Sequence, residues 1–193
     1  MSRNRETIRN ISSLMAIALL GTTEALCQER QAEMRMQAET APPERRIVVS
    51  IPDRKLALME NGRVVKIYST AVGAPSSPTP TGTYAIAQRI SNPTWYGPNH
   101  KVVGPGKGNP VGTRWMGLSH KGYGIHGTNN PRSIGHNASH GCVRMRNRDV
   151  EDLFARVPVG DVVELHGERD ADVTRIFGAD VIAAATVSAG SAQ

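Results

Sequence analysis

At 193 residues, with 39% apolar and 21% charged side chains, the chain has room for one domain with flanking segments and not for a second independent core. Its 19 Gly and 12 Pro against 4% aromatic residues point to a loop-rich, mainly β domain. The formal net charge of +6 suits attraction to anionic polymers, but no clustered basic stripe or aromatic stacking motif accompanies it, so nucleic acid is not an expected partner.

In chain order, Arg3, Arg5 and Arg9 precede the apolar run Leu14 to Leu20, and small and polar residues follow at Gly21 to Ala25. That order matches an export signal over residues 1–25, which would deliver the rest to the periplasm or cell envelope. The run is much shorter than the about 20 residues a bilayer-crossing helix needs, so no transmembrane anchor is expected after cleavage. A cytosolic chain with a chance apolar start is the competing reading. Lipidation at Cys27 is disfavoured, because "EALC" lacks the small residues such a site wants just before the cysteine.

Residues 26–45 read as a linker, polar, charge-mixed and closed by Pro42-Pro43. A domain is expected from Arg46 to Gly167. "RIVVSI", "KLALME" and "RVVKIYSTAV" read as three strands, the last two joined through Asn61-Gly62, the pair that best fits a two-residue type I′ hairpin turn. A further strand is expected at Thr83 to Gln88. Residues 91–119 carry Gly or Pro at short intervals without a sustained period, and read as a long covering loop holding Trp95, Tyr96 and Trp115. Those aromatics either line a binding wall or simply pin the loop to the core.

From Asn147 the period changes. Asn147 is a good N-cap, Asp149 and Glu151 suit a first helical turn, and Val150, Leu153, Phe154 and Val157 recur on one face. One short amphipathic helix is expected, stopped by Pro158 and followed by a closing strand "VVELH". Residues 168–193 read as a frayed appendage with a short helix near Val173 to Ala185.

Chemistry concentrates in "GYGIHGTNNPRSIGHNASHGCVRMRN", where His126, His136, His140 and Cys142 fall close together. Cleavage near Ala25 would leave only Cys27, in the linker, and Cys142, and a lone thiol kept in an oxidising compartment is exposed to damage unless it has work to do. An inert buried cysteine is the plain alternative. A thiol that attacks an acyl carbon needs a base oriented by a third group. His140 would share a face with Cys142 on an extended segment and His126 would arrive from a neighbouring strand; spacing does not choose between them. Gly141 permits close approach to substrate, and its N–H or that of Cys142 could serve an oxyanion hole. A zinc sphere from the three histidines and Cys142 is the rival, though the separated ligand pairs and an acidic general base are missing.

"IHGTNN" followed by "SHGCVRM", with "TPTGTYAI" and "NPTW" ahead of them, closely resembles the signature of the L,D-transpeptidase catalytic domain family, over roughly Arg46 to Leu165. The resemblance implies a mainly β, sandwich-like sheet domain with its site in a groove under a flexible loop. It implies Cys142 as nucleophile, His126 as general base, the Gly127 carbonyl as the group orienting that base, and Ser139, His140 and Gly141 in support. Arg144 would bind a substrate carboxylate or shape the pocket, with Tyr123 also on the substrate side; no metal or cofactor is called for.

The implied substrate is a peptidoglycan stem tetrapeptide ending in D-alanine, and the acceptor another stem peptide, a lipoprotein lysine or water. Two departures stand out. The gap from His126 to Ser139 is short, and no lysin-motif module for wall binding is seen. An L,D-carboxypeptidase and a catalytically inactive wall-binding module remain as alternatives.

Overall fold

The computed structural model describes residues 28–31, 33–36 and 43–178. The expected export signal, Cys27 and the end of the expected appendage, residues 179–193, lie outside the described residues. Within the expected linker, residues 28–31 and 33–36 are helical and exposed. Gln, Glu, Arg and Met supply them, all good helix formers, so local propensity outweighs the general polarity that suggested an irregular segment.

The domain opens with β1 (Arg45–Ser50), β2 (Lys55–Glu60) and β3 (Arg63–Ser69). Asn61 and Gly62 have φ of 50° and 74°, the two positive values a type I′ turn demands, and Glu60 pairs with Arg63 across it. Then follow β4 (Val72–Gly73), β5 (Gly82–Ser91), β6 (Trp95–Tyr96), β7 (Val102–Val103), β8 (Arg114–Leu118) and β9 (Gly124–His126). A 3-10 turn (Pro131–Ser133) leads to β10 (Asn137–Ser139), β11 (Val143–Arg144), α1 (Asn147–Arg156), β12 (Val162–His166) and α2 (Ala171–Phe177). Eight strands form one sheet in the order β11-β9-β8-β5-β12-β1-β2-β3, parallel at β1–β12 and β9–β11 and antiparallel elsewhere.

The sheet curls, because residues from distant strands share one core. Ile47, Val49, Leu56 and Leu58 from one end join Met116, Ile125 and Val143 from the other, closed over by Val150 and Leu153 of α1. Strand alternation sends the intervening residues to the opposite face, where Val48, Ala57 and Met59 meet Val173, Ile176 and Phe177 of α2. That double burial explains why β1 is apolar without alternation. It also revises the expected appendage: the short helix expected near Val173 is present at Ala171–Phe177, but it is docked rather than frayed, and is capped by Asp170, whose carboxylate accepts from Val173 N–H at 2.8 Å.

Two further expectations change. The 91–119 stretch is not one loop, since it contains the β6–β7 hairpin and, in β8, an interior strand lying between β5 and β9. Pairing on both edges and burial of Met116 and Leu118 override a Gly-rich local sequence. The N-cap of α1 is Arg146, and Asn147 is its first helical residue.

Candidate active site

Parallel pairing of β9 with β11 sets His126 opposite Arg144 and Ile125 opposite Val143. Cys142 stands two residues before Arg144 and so projects to the same face as Arg144 and His126. All three, with Ser139 and His140, line a cavity of about 590 Å³. Its far wall is Pro93, Trp95, Tyr96, Pro110 and Val111, so part of the segment expected as a cover does border the cavity. Trp115 does not belong to that cover. It sits on β8 beside His126, their rings stacked with centroids 5.5 Å apart and planes 24° apart.

The turn that presents the cysteine is braced from within. Buried Ser139 donates its hydroxyl to the Cys142 carbonyl at 2.6 Å and accepts from Gly141 N–H at 3.1 Å. Gly141 has φ of 105°, and a methyl group there would come within 2.6 Å of the Tyr123 ring, so glycine is required twice over. The thiol of Cys142 faces the Gly122 carbonyl at 3.7 Å.

His126 is buried, and its Nδ1 lies 2.6 Å from the Gly127 carbonyl, which holds the ring in the tautomer with the proton on Nδ1. Burial pulls the imidazole pKa down to about 4, against an upward pull from the Gly127 hydrogen bond and with a smaller push the same way from the Arg144 charge. Burial raises the Cys142 thiol above its usual value, while the Gly124 backbone N–H and Arg144 both draw it back. At neutral pH the resting pair is thus neutral imidazole and thiol. Arg144, half-buried, has its pKa lowered by burial and raised by the neighbouring sulfur, and its Nε is buried without a hydrogen-bond partner.

The remaining candidates fall in different places. His140 is exposed on the cavity rim and His136 is exposed outside the residues that line it. Tyr123 packs beneath Gly141 and lines an adjoining groove of about 290 Å³ with Lys121 rather than the larger cavity. Among the described residues, metal-capable atoms converge only at Glu164, His166 and Asp172, where Arg46 already pairs with Glu164 at 2.5 Å and Asp172 at 3.1 Å. Two contributors escaped the sequence, Asn147 under the Gly127 segment and Asn109, which ties down the cavity wall, and Trp115, expected as a loop aromatic, proves to be a strand residue beside the imidazole. Two polar Asn side chains carry no periodic signal; only the tertiary packing of loop, helix and strand brings them to the site.

The family model of the L,D-transpeptidase catalytic domain, YkuD, matches residues 44–165. The chain belongs to the L,D-transpeptidase catalytic domain family. Its match to YkuD of Bacillus licheniformis, which carries an L,D-transpeptidase name, is 45% identical over 120 residues, 62% of this chain and 64% of that protein. YkuD of Bacillus subtilis is 44% identical over 62% of this chain and 65% of its own length, and YbiS of Escherichia coli 32% over 63% and 44%. The chain therefore spans a little under two thirds of the Bacillus relatives. Among solved structures, an L,D-transpeptidase from Mycobacterium smegmatis shares the fold with a TM-score of 0.56 at 19% identity, over 65% of this chain and 59% of that one. The catalytic domain of the Enterococcus faecium L,D-transpeptidase does so at 0.53 and 24%, over 63% and 96%. The L,D-transpeptidase match ends with β12, and α2 lies beyond it.

Proposed function

We propose that the chain is an exported cysteine transpeptidase that cleaves the bond between the third residue and D-alanine of a peptidoglycan stem tetrapeptide, then passes the acyl group to an amine. The observation that carries this reading is that Cys142, in the turn just before β11, and the buried His126 imidazole, on the paired strand β9, both line the same cavity. The family supports the substrate class, and the basic balance of the chain suits an anionic wall.

The chemistry follows from two groups that rest neutral. As the thiol attacks the carbonyl of residue three, its proton passes to Nε2 of His126, and the imidazolium is steadied through Nδ1–H by the Gly127 carbonyl. The Gly141 N–H is engaged by Ser139, which leaves the Cys142 N–H as the donor to the oxyanion. Collapse breaks the C–N bond, D-alanine leaves with the proton from His126, and a thioester to Cys142 remains. The acceptor amine then attacks, gives its proton to His126 and releases the thiolate, which takes that proton back. Arg144, cationic beside the sulfur and lining the cavity, meets the substrate carboxylate. The wall formed by residues 93–96 and 110–111 limits water, favouring aminolysis of the thioester over hydrolysis. A diamino side chain as acceptor makes a 3-3 cross-link, and a lipoprotein lysine makes an anchor.

Mass spectrometry of muropeptides after incubation with the purified protein tests this. D-alanine release with cross-linked dimers is expected, and Cys142→Ala should abolish both without lowering the melting temperature. Tripeptide alone under excess amine would mean a carboxypeptidase. Retention on peptidoglycan without D-alanine release, and without a carbapenem adduct, would mean an inactive binding module. A solved structure described as the Ldtfm-avibactam carbamoyl enzyme, 25% identical over 65% of this chain and 49% of that one with a TM-score of 0.56, suggests a second acylating probe. Export is tested by fusing residues 1–43 to a reporter that works only outside the cytoplasm.

A further inference from the structure

We infer that Asn147 is a positioning residue for the imidazole of His126, acting through the single peptide unit between Gly127 and Thr128. The two faces of that peptide are both engaged. Its carbonyl, on Gly127, accepts from Nδ1 of His126 at 2.6 Å, and its N–H, on Thr128, donates to Oδ1 of Asn147 at 3.1 Å. The same Oδ1 also receives Thr113 N–H, at 3.4 Å, from the segment entering β8. The chain Asn147–peptide–His126 is therefore continuous and points one way, each acceptor polarising the next donor.

The fit around that oxygen is close. A methyl group built on either Gly112 or Gly127 would collide with Asn147 Oδ1, so two glycines leave just the space the amide occupies. The residue also stands where a helix would not need it. It is the first helical residue of α1, whose N-cap, Arg146, makes no side-chain cap bond, so the asparagine oxygen is turned away from capping its own helix and toward the strand carrying the imidazole. In this way α1 is tied to β9 independently of the β9–β11 ladder that carries the cysteine. A peptide plane free to rock would let the imidazole swing, and small displacements of a proton-transferring ring are costly because the reacting atoms must meet within a few tenths of an ångström.

The assignment rests on His126 acting as the base. Its test combines a readout that needs no turnover with one that does. In selectively labelled protein the His126 Nδ1–H proton resonance should lie far downfield. In Asn147→Ala it should move upfield, with kcat for D-alanine release falling roughly ten- to a hundredfold at little-changed KM. Asn147→Asp, which keeps an acceptor oxygen in the same place, should restore the downfield resonance and most of kcat; it also covers the case in which the alanine variant fails to fold. An unmoved resonance in Asn147→Ala, or an aspartate variant no better than alanine, overturns the assignment. Activity that survives in Cys142→Ala would instead overturn the transpeptidase reading, while the resonance would still report on the peptide relay.

Discussion

The indole of Trp115 and the imidazole of His126 are cross-strand partners on β8 and β9 and lie nearly parallel, 5.5 Å between centroids. The indole covers one face of the imidazole, and burial is the leading cause of the depressed imidazole pKa. Trp115→Ala should let water reach that ring. The acid limb of kcat/KM, expected near pH 4 in the parent, should move up toward the unperturbed 6.5, as read from a pH–rate profile of D-alanine release.

The same burial makes stability depend on pH. Because the folded-state pKa of His126 is lowered, from 6.5 to about 4, its unfolded form binds more protons between those values. Stability is thus full above pH 6.5 and lost as pH falls toward 4, by about 3 kcal/mol. His166 acts in the opposite sense, its pKa raised by Asp170 and Glu164 against burial, so total stability blends the two. Denaturant midpoints of parent and His126→Gln should diverge in slope across this window, and parallel slopes would rule out a depressed imidazole.

At Gly141 a side chain meets both a positive φ and the Tyr123 ring. Gly141→Ala should cost roughly 1–3 kcal/mol in backbone strain. Since the turn also sets the sulfur, labelling of Cys142 by a carbapenem should slow far more than the melting temperature falls. Equal labelling rates would separate the turn from the chemistry.

Asn109 is fully buried, and its side chain ties separate parts of the cavity wall together. Its amide donates to the carbonyls of Pro93, Val103 and Gly104 at 2.7, 3.2 and 3.0 Å, and its oxygen accepts from Val111 N–H at 2.9 Å. Asn109→Ala strands these groups, a local cost of roughly 2–4 kcal/mol. The expected results are faster proteolysis between residues 93 and 111 and a larger share of tripeptide over cross-linked product. A product ratio identical to that of the parent would mean the wall does not exclude water.

Beyond the matched domain, α2 buries Val173, Ile176 and Phe177 on the outer face of β1 and β2. Phe177→Ala should cost about 3–5 kcal/mol. Thermal unfolding of the full chain measures it, and a shift of only a degree or two would show that the helix is not integral to the fold.

Much of this was legible in advance where the signal is local. The Asn61-Gly62 turn, the three strands around it, the α1 stripe and the closing strand depend on neighbours a few residues apart, and the structure has them where periodicity put them. Failures came where pairing decides. Arg114–Leu118 looks like loop because its glycine and mixed polarity break alternation, yet it gains two strand partners. Asn147 looks like an N-cap because its residue type is right, but the closer demand on its oxygen comes from Thr128.

By itself the sequence determined that a cysteine and three histidines fall close together, because that is set by composition and short spacing, while the roles of the Gly127 carbonyl and Arg144 came only from the resemblance to the family. Only the tertiary structure decided that His126, and not His140, is the buried ring, that Trp115 covers it, and that Asn147 steadies its peptide. Those outcomes depend on the pairing of β8 with β9 and on how α1 packs against them, and desolvation, which sets the state of both thiol and imidazole, does not exist until the sheet has curled.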